Sequence, residues 1–367
     1  MTLLIDAHLD LAWNALSFDR DLTDSIDRIN AREQHVTDSR SRGNATVSLA
    51  EMRRGEIAVC LGTLIAHARP DIVPSEGHQR ISLEYRSAEA AYACAQGQLA
   101  YYRLLEQAGH LRLLSTAGDL TSHWNSWTSS ASDANDEDLP IGLILAMEGA
   151  DAIVTPSQVE EWFRLGLRSV NLVHYGHNQY AAGTGESGPL TSQGIELLGE
   201  LERWGMILDV THLSDAGFFQ ALDLFHGPVL ASHNNCRSLV PGQRQFSDEQ
   251  LQSLIQRGAV IGVAMDNWML VSGWQSGISP RSQATLDNVA DHIDHICQIA
   301  GDHRHVAIGS DLDGGYGTEQ CPIGLGSIAD LQKMDERLQQ RGYTPEEVRD
   351  IFHRNWLQFF KRHLPDS

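Results

Sequence analysis

From Ile141 onward the chain repeats one unit: a short apolar run of strand length, a polar turn, a helical pattern, then another apolar run. The runs are Ile141 to Ala150 (IGLILAMEGA), Ser169 to His174 (SVNLVH), Met206 to His212 (MILDVTH), Pro228 to His233 (PVLASH), Ala259 to Met265 (AVIGVAM) and Val306 to Asp311 (VAIGSD). Helical patterns over 156–165, 191–204, 214–225, 247–257 and 282–300 separate them, two of them opening on a serine N-cap followed by acidic residues. Leu3 to Asp10 (LLIDAHLD) and Glu56 to Ala66 bring the apolar runs to eight. Strands that alternate with helices lie parallel, and eight such units predict closure into a (β/α)₈ TIM-type barrel rather than an open sheet. No G-x-G-x-x-G comes directly after any run, which disfavours a dinucleotide-binding sheet. A length of 367 residues suits one such barrel with insertions, so residues 1–367 read as a single domain.

The insertions are also legible. Residues 17–54 are polar and rich in Asp and Arg, a loop or helical excursion over one end of the fold. Residues 80–109 carry a long helical pattern closed by Gly109, and 121–139, rich in Ser, Asn and Asp, read as an exposed loop. The formal charge of −21, spread along the chain, repels phosphate backbones and argues against nucleic acid as a partner. Five scattered cysteines without a C-x-x-C pair form neither a disulfide framework nor a thiolate metal site. Neither a signal peptide nor a membrane span is legible, so the expectation is a cytoplasmic protein with no membrane partner.

The ends of the apolar runs carry the chemistry. His8 and Asp10 close the first, Glu148 the third, His174 the fourth, His212 the fifth, His233 the sixth and Asp311 the eighth. In a parallel barrel these ends converge on one mouth. Several carboxylates crowded there need cations, and two divalent metals meet that need while supplying an activated water. Imidazole and carboxylate donors without thiolate suit Zn²⁺ and leave Mn²⁺, Co²⁺ or Fe²⁺ open. Other motifs fail: Asp311-Leu312-Asp313-Gly314 lacks the remainder of a calcium loop, Gly183 to Gly188 lacks the Lys-Ser/Thr of a phosphate loop, and there is no G-x-S-x-G. His292, His295, His303 and His305 are expected to be solvated histidines on a polar helix face and the loop after it. Asp6 alternates with the ligand candidates and is left between ligand and support.

The order H-x-D (His8, Asp10), M-E-G (Glu148), D-V-T-H-L-S (His212), A-S-H (His233) and G-S-D-L-D-G (Asp311) resembles the membrane, or renal, dipeptidase family of zinc peptidases within the metal-dependent amidohydrolases. The resemblance runs from residue 8 to about 315. It implies a dipeptidase with two Zn²⁺ per chain, His8, Asp10 and Glu148 on one, Glu148, His212 and His233 on the other, with Glu148 bridging. It implies His174 as oxyanion stabiliser, Asp311 as proton shuttle and Arg244 as anchor for the substrate's terminal carboxylate, a role a guanidinium fork suits. Tolerance of a D-residue at the C-terminal position and a homodimer are further expectations from the family. The chain departs from the pattern after His174, where Asn178 is present but Ala181-Ala182-Gly183 lacks the family's Asp. Asn178, Tyr180 and the loop after the seventh run, Asp266-Asn267-Trp268, are expected around the pocket. The competing readings are an amidohydrolase acting on N-acyl amino acids or lactams, and a metal-binding scaffold without activity.

Overall fold

The computed structural model describes residues 1–71, 79–130 and 139–366. Its frame is eight parallel strands: β1 Leu4–Leu9, β2 Ile57–Ile65, β3 Ile141–Glu148, β4 Leu167–Asn171, β5 Ile207–Asp209, β6 Val229–Leu230, β7 Ile261–Val263 and β8 Val306–Ile308. β1 to β6 pair side by side in chain order. A parallel bridge between Ala231 and Ile261 carries β6 onto β7, which pairs with β8. Every residue of β1, β2 and β3 is buried, as strands covered on both faces must be.

The seam between β8 and β1 is fastened by a side chain. Asp6 accepts hydrogen bonds from the Ser310 N–H at 2.8 Å and from the Ser310 hydroxyl. Asp6 is therefore the clasp of the barrel, and it also accepts the His8 N–H at 3.2 Å. Two glycines make room beside the seam. A Cβ at Gly262 would sit 2.0 Å from the Ser232 carbonyl oxygen, and one at Gly309 only 1.7 Å from it.

The excursion over 17–54 forms two helices, Ile26–Glu33 and Leu49–Arg54. Its buried Arg20 pairs with Glu33 at 2.9 Å and with Asp313 at 3.4 Å, while Asp313 also accepts from the Thr46 and Val47 N–H groups. The excursion is thus tied to the segment that follows β8. The long helix is Ala88–Gln107, with Gly109 just beyond it at φ 82°. A short strand missed in the sequence, Leu111–Leu113, pairs with the first half of β3, below the stretch taken by β4.

The loop expected over 121–139 is corrected as far as Ser130. Residues Ala117–Ser130 form a helix, and 131–138 lie outside the described residues. Leu120, His123, Trp124 and Trp127 recur at i, i+3, i+4 and i+7 and are buried, so a helical face was present within a polar composition. The later strands are shorter than their apolar runs and stop three residues before the ionisable group. After β8 come helices Lys333–Gln340, Pro345–Arg349 and Asn355–His363, and the main apolar core runs from Leu4 to Leu364. His353 bonds the Leu3 carbonyl at 2.7 Å, packing the C-terminal helices under β1. Among the described residues no helix is long and apolar enough to cross a membrane.

Candidate metal centre

The strand ends bring their side chains to one mouth with a simple regularity. His8 lies within β1, Asp10 one residue beyond it, and Glu148 is the last residue of β3. On the shorter strands the group comes three residues after the end: His174, His212, His233 and Asp311 after β4, β5, β6 and β8. Asp266 holds the same place after β7. His212 and Asp311 take left-handed backbone, with φ 69° and 59°, a conformation uncommon outside glycine and frequent at functional sites.

Glu148 is the centre of the cluster, and its two oxygens face two different sets. Oε2 lies 3.4 Å from His8 Nε2, which is itself 3.8 Å from Asp10 Oδ1 and 3.9 Å from Asp311 Oδ1. Oε1 lies 3.4 Å from His212 Nε2 and 3.5 Å from His233 Nε2, and those two nitrogens are 3.1 Å apart. In the trios His8–Asp10–Glu148 and Glu148–His212–His233 all donor atoms lie within 4.8 Å of one another. A third trio, His8–His233–Asp311, meets the same limit. Two ligands on one tetrahedral ion with bonds near 2.1 Å stand roughly 3.4 Å apart, so these spacings suit a shared cation.

The surroundings aim the donors inward. His212 Nδ1 is held by the Thr184 hydroxyl at 2.8 Å and His233 Nδ1 by the Ser232 hydroxyl at 2.9 Å, leaving each Nε2 to the centre. The Thr63 hydroxyl donates to Asp10 Oδ1. His8 Nε2 and Glu148 Oε1 are buried without a hydrogen-bond partner. Buried orphans of this kind, in a donor set of imidazole and carboxylate, fit divalent cations.

Charge is distributed accordingly. Burial pushes the Asp311 carboxyl well above its ordinary range, with Glu148 and Asp10 adding to the shift. Burial and Glu148 likewise raise Asp10 to about 7. Burial disfavours a charged His8, but Glu148, Asp10 and Asp311 overcome it and raise the imidazole to about 10. Burial holds His212 down to about 3 and keeps His174 and His233 well below the ordinary histidine value. Three neutral imidazoles therefore offer lone pairs, and the carboxylates that favour a cation at His8 would equally favour a metal ion there in place of the proton.

Above this cluster is a small cavity of about 100 Å³. Its polar wall includes His174, Arg244, Asp266 and Asp311, and its apolar wall Trp13, Ile65, Leu83, Trp268 and Met269. Arg244 is buried, its Nη2 donating to the His233 carbonyl at 2.9 Å and its Nη1 without a partner. His174 stacks on His67, ring centroids 4.8 Å apart, a neighbour the sequence did not mark.

Trp268 lines the cavity, but three other pocket candidates do not. Asn178 bonds Asp151 at 2.8 Å and caps the turn at Tyr180 and Ala181, so it shapes the loop after His174 from behind. Tyr180 is buried against the Ile153 carbonyl, and Asn267 donates to the Cys321 carbonyl at 3.1 Å. Asp266 of the expected loop does line the cavity, and Tyr175 and Met269 join it. Among the four sequence-clustered histidines, His292 is not solvated: it is buried and accepts the Cys236 N–H at 3.0 Å. His295 and His303 pair with Asp248 and Asp350, and His305 bonds the Ala259 carbonyl, all away from the mouth.

A parallel barrel with imidazoles and carboxylates gathered at its strand ends has its candidate site where this fold builds active sites. Residues 1–363 match the model of the membrane dipeptidase family, peptidase family M19. The chain belongs to that family and is a metallo-dipeptidase-type hydrolase. It is 26% identical over 365 residues to dipeptidase verJ of Clonostachys rogersoniana, covering 97% of this chain and 82% of that one. It is 29% identical over 275 residues to an uncharacterised protein encoded in the pqqA 5′ region of Klebsiella pneumoniae, 72% of this chain and 94% of the relative. Its fold is similar to a metallopeptidase from Rhodobacter sphaeroides solved with a phosphinate mimic of the dipeptide L-Ala-D-Ala, with TM-score 0.76, 22% identity, and 99% and 100% of the two chains covered. A solved metallopeptidase named dipeptidase AC superposes equally well, with TM-score 0.76, 22% identity, and 100% and 99% covered.

Proposed function

We propose that this chain is a binuclear zinc dipeptidase that cleaves the peptide bond of free dipeptides and accepts a D-residue at the C-terminal position. The observation that carries the reading is the division of donors between the two oxygens of Glu148: His8 and Asp10 beside Oε2, His212 and His233 beside Oε1. His8, Asp10 and Glu148 would hold one Zn²⁺, and Glu148, His212 and His233 the other. Bound there, the ions supply Lewis acidity and lower the pKa of water.

The remaining groups belong to the substrate. The Arg244 Nη1, buried and unpaired, receives the terminal carboxylate, for which an Arg fork is the matching donor. His174 Nε2 stands 3.8 Å from Glu148 Oε1, beyond hydrogen-bond reach, and is free to donate to the carbonyl oxygen as negative charge develops on it. Asp311 accepts the proton of the attacking water and returns it to the leaving amine. A site that fixes the two ends of a dipeptide constrains the Cα configuration of the second residue weakly. The L-Ala-D-Ala mimic carried by the Rhodobacter sphaeroides protein supports this stereochemical tolerance.

The test is metal analysis of the purified protein, followed by kcat/KM for a dipeptide library with D-residues and a matched set of N-acyl amino acids. Two zinc ions per chain and turnover of L,L- and L,D-dipeptides are expected. Faster cleavage of the N-acyl compounds, which lack the free amine, would assign the amidohydrolase activity instead. Cleavage of L,L-substrates alone would remove the stereochemical part.

A further inference from the structure

Among the described residues, no hydrogen bond orients the His174 ring, although the reading above has it donate along one direction. The Nδ1 atoms of His212 and His233 are each fixed by a hydroxyl, and that of His8 lies 3.4 Å from Ser232 Oγ. The second torsion of a histidine side chain is broad and roughly two-fold, so an imidazole without such a bond turns unless its faces are packed.

The packing on His174 comes from His67. The two rings are stacked, with centroids 4.8 Å apart and planes 19° from parallel. His174 lines the cavity and His67 does not: His67 is 6% exposed, and its Nε2 is buried without a hydrogen-bond partner. Burial holds His67 below the ordinary histidine value, so a neutral ring faces His174. His67 is itself firmly placed. Its N–H donates to the Leu83 carbonyl at 2.7 Å, beside a short parallel pairing of His67–Ala68 with Glu84–Tyr85. The edge of its imidazole lies against Gly149, where a Cβ would stand 3.4 Å from Cδ2 and 3.6 Å from Nε2. Asp151, 1% exposed, accepts the Ala68 N–H at 2.8 Å on one oxygen and the Asn178 side-chain amide at 2.8 Å on the other. One buried carboxylate thus joins the turn that carries His67 to the loop that follows His174.

We infer that His67 is a positioning residue for the dipeptidase reaction: its ring, stacked on His174, locks the plane in which His174 donates to the carbonyl oxygen. This rests on the dipeptidase reading and on the oxyanion role of His174 within it. His67 touches neither substrate nor metal and acts through its neighbour alone.

The experiment measures kcat and KM of the zinc-loaded full chain on Ala-Ala for the wild type, His67→Phe, His67→Leu, His174→Ala and the double variant His67→Leu with His174→Ala, with Tm and zinc content alongside. Calorimetry gives the affinity for a phosphinate dipeptide mimic, whose oxygen stands in for the oxyanion. His174→Ala should lower kcat by about 10²- to 10³-fold, the scale of one oxyanion donor. His67→Leu, of comparable bulk but without a flat face, should lower kcat by about 10- to 100-fold with KM little changed, as a slightly misplaced group does. It should weaken binding of the mimic by a similar factor. His67→Phe keeps an aromatic face and should recover most of the loss. In the His174→Ala background the His67→Leu loss should vanish, as it must for a residue that acts only through its neighbour. Equal rates for His67→Phe and His67→Leu would reduce His67 to a filler of space and overturn the inference. So would a His67→Leu loss that persists without His174. A wild-type rate in His174→Ala would remove the oxyanion role and the inference together while the dipeptidase reading stands. If no dipeptide is turned over, that reading falls and the inference falls with it.

Discussion

Asp311 shows how narrow the tolerances of the mouth are. Its left-handed backbone turns the carboxylate back over Gly314, where a Cβ would lie 2.0 Å from Oδ1. Gly314→Ala must therefore push the carboxylate aside. In steady-state assays it should lower kcat nearly as far as Asp311→Asn, about 10²- to 10⁴-fold, with zinc content retained in both. A wild-type rate in Asp311→Asn with two metals bound would refute the proton-shuttle role. Arg244→Leu tests the other end of the substrate. Removing a buried charge-assisted contact should raise KM for dipeptides by about 10- to 100-fold, with a smaller effect on dipeptide amides, which lack the carboxylate.

The elements differ in how plainly the sequence announced them. Strand ends were legible because a histidine or carboxylate closing an apolar run is chemically conspicuous, and His8, Glu148, His212, His233 and Asp311 all reached one mouth. Asp266 was legible only as part of the loop after the seventh run, since that run ends in Met265 and no alternation singles the carboxylate out. Asn178 and Tyr180 were misplaced because proximity to His174 in sequence says nothing of which way a loop turns. The helix Ala117–Ser130 was hidden by Ser122, Asn125, Thr128 and Ser129 on its outer face, while its inner face carries the tryptophans. Trp127 is buried and donates to the Pro140 carbonyl at 3.0 Å. Trp127→Ala should destabilise the protein by about 3–5 kcal/mol in urea unfolding, as large core truncations do, despite the polar look of the segment. The Asp6 clasp was illegible for a different reason: its partner Ser310 is 304 positions away, and no local pattern links them.

At the scale of the whole molecule, buried histidines outside the mouth set the acid limit. Burial draws both His292 and His353 down to about 4 from an ordinary value of 6.5. Between pH 6.5 and 4 the unfolded chain binds protons that the folded chain refuses, so this stability is complete above about pH 6.5 and is lost as pH falls through that window. Each histidine contributes a slope of up to ~1.4 kcal/mol per pH unit. The urea midpoint should drop across this range, and less steeply in His292→Asn. Removing metal should act on the same balance from the mouth: a chelator is expected to lower Tm by several degrees and excess Zn²⁺ to restore it, because a ligand held by the folded state alone stabilises it by mass action. An unchanged Tm would count against a metal bound at the buried trios. The clasp has a consequence for how the protein is made. A ribosome delivers β1 first and Ser310 only after more than three hundred further residues, so a nascent chain spends most of its synthesis as an open sheet with one edge of β1 uncovered. Chains stalled or truncated before residue 310 keep that edge, and they are the forms expected to be held by chaperones or to aggregate.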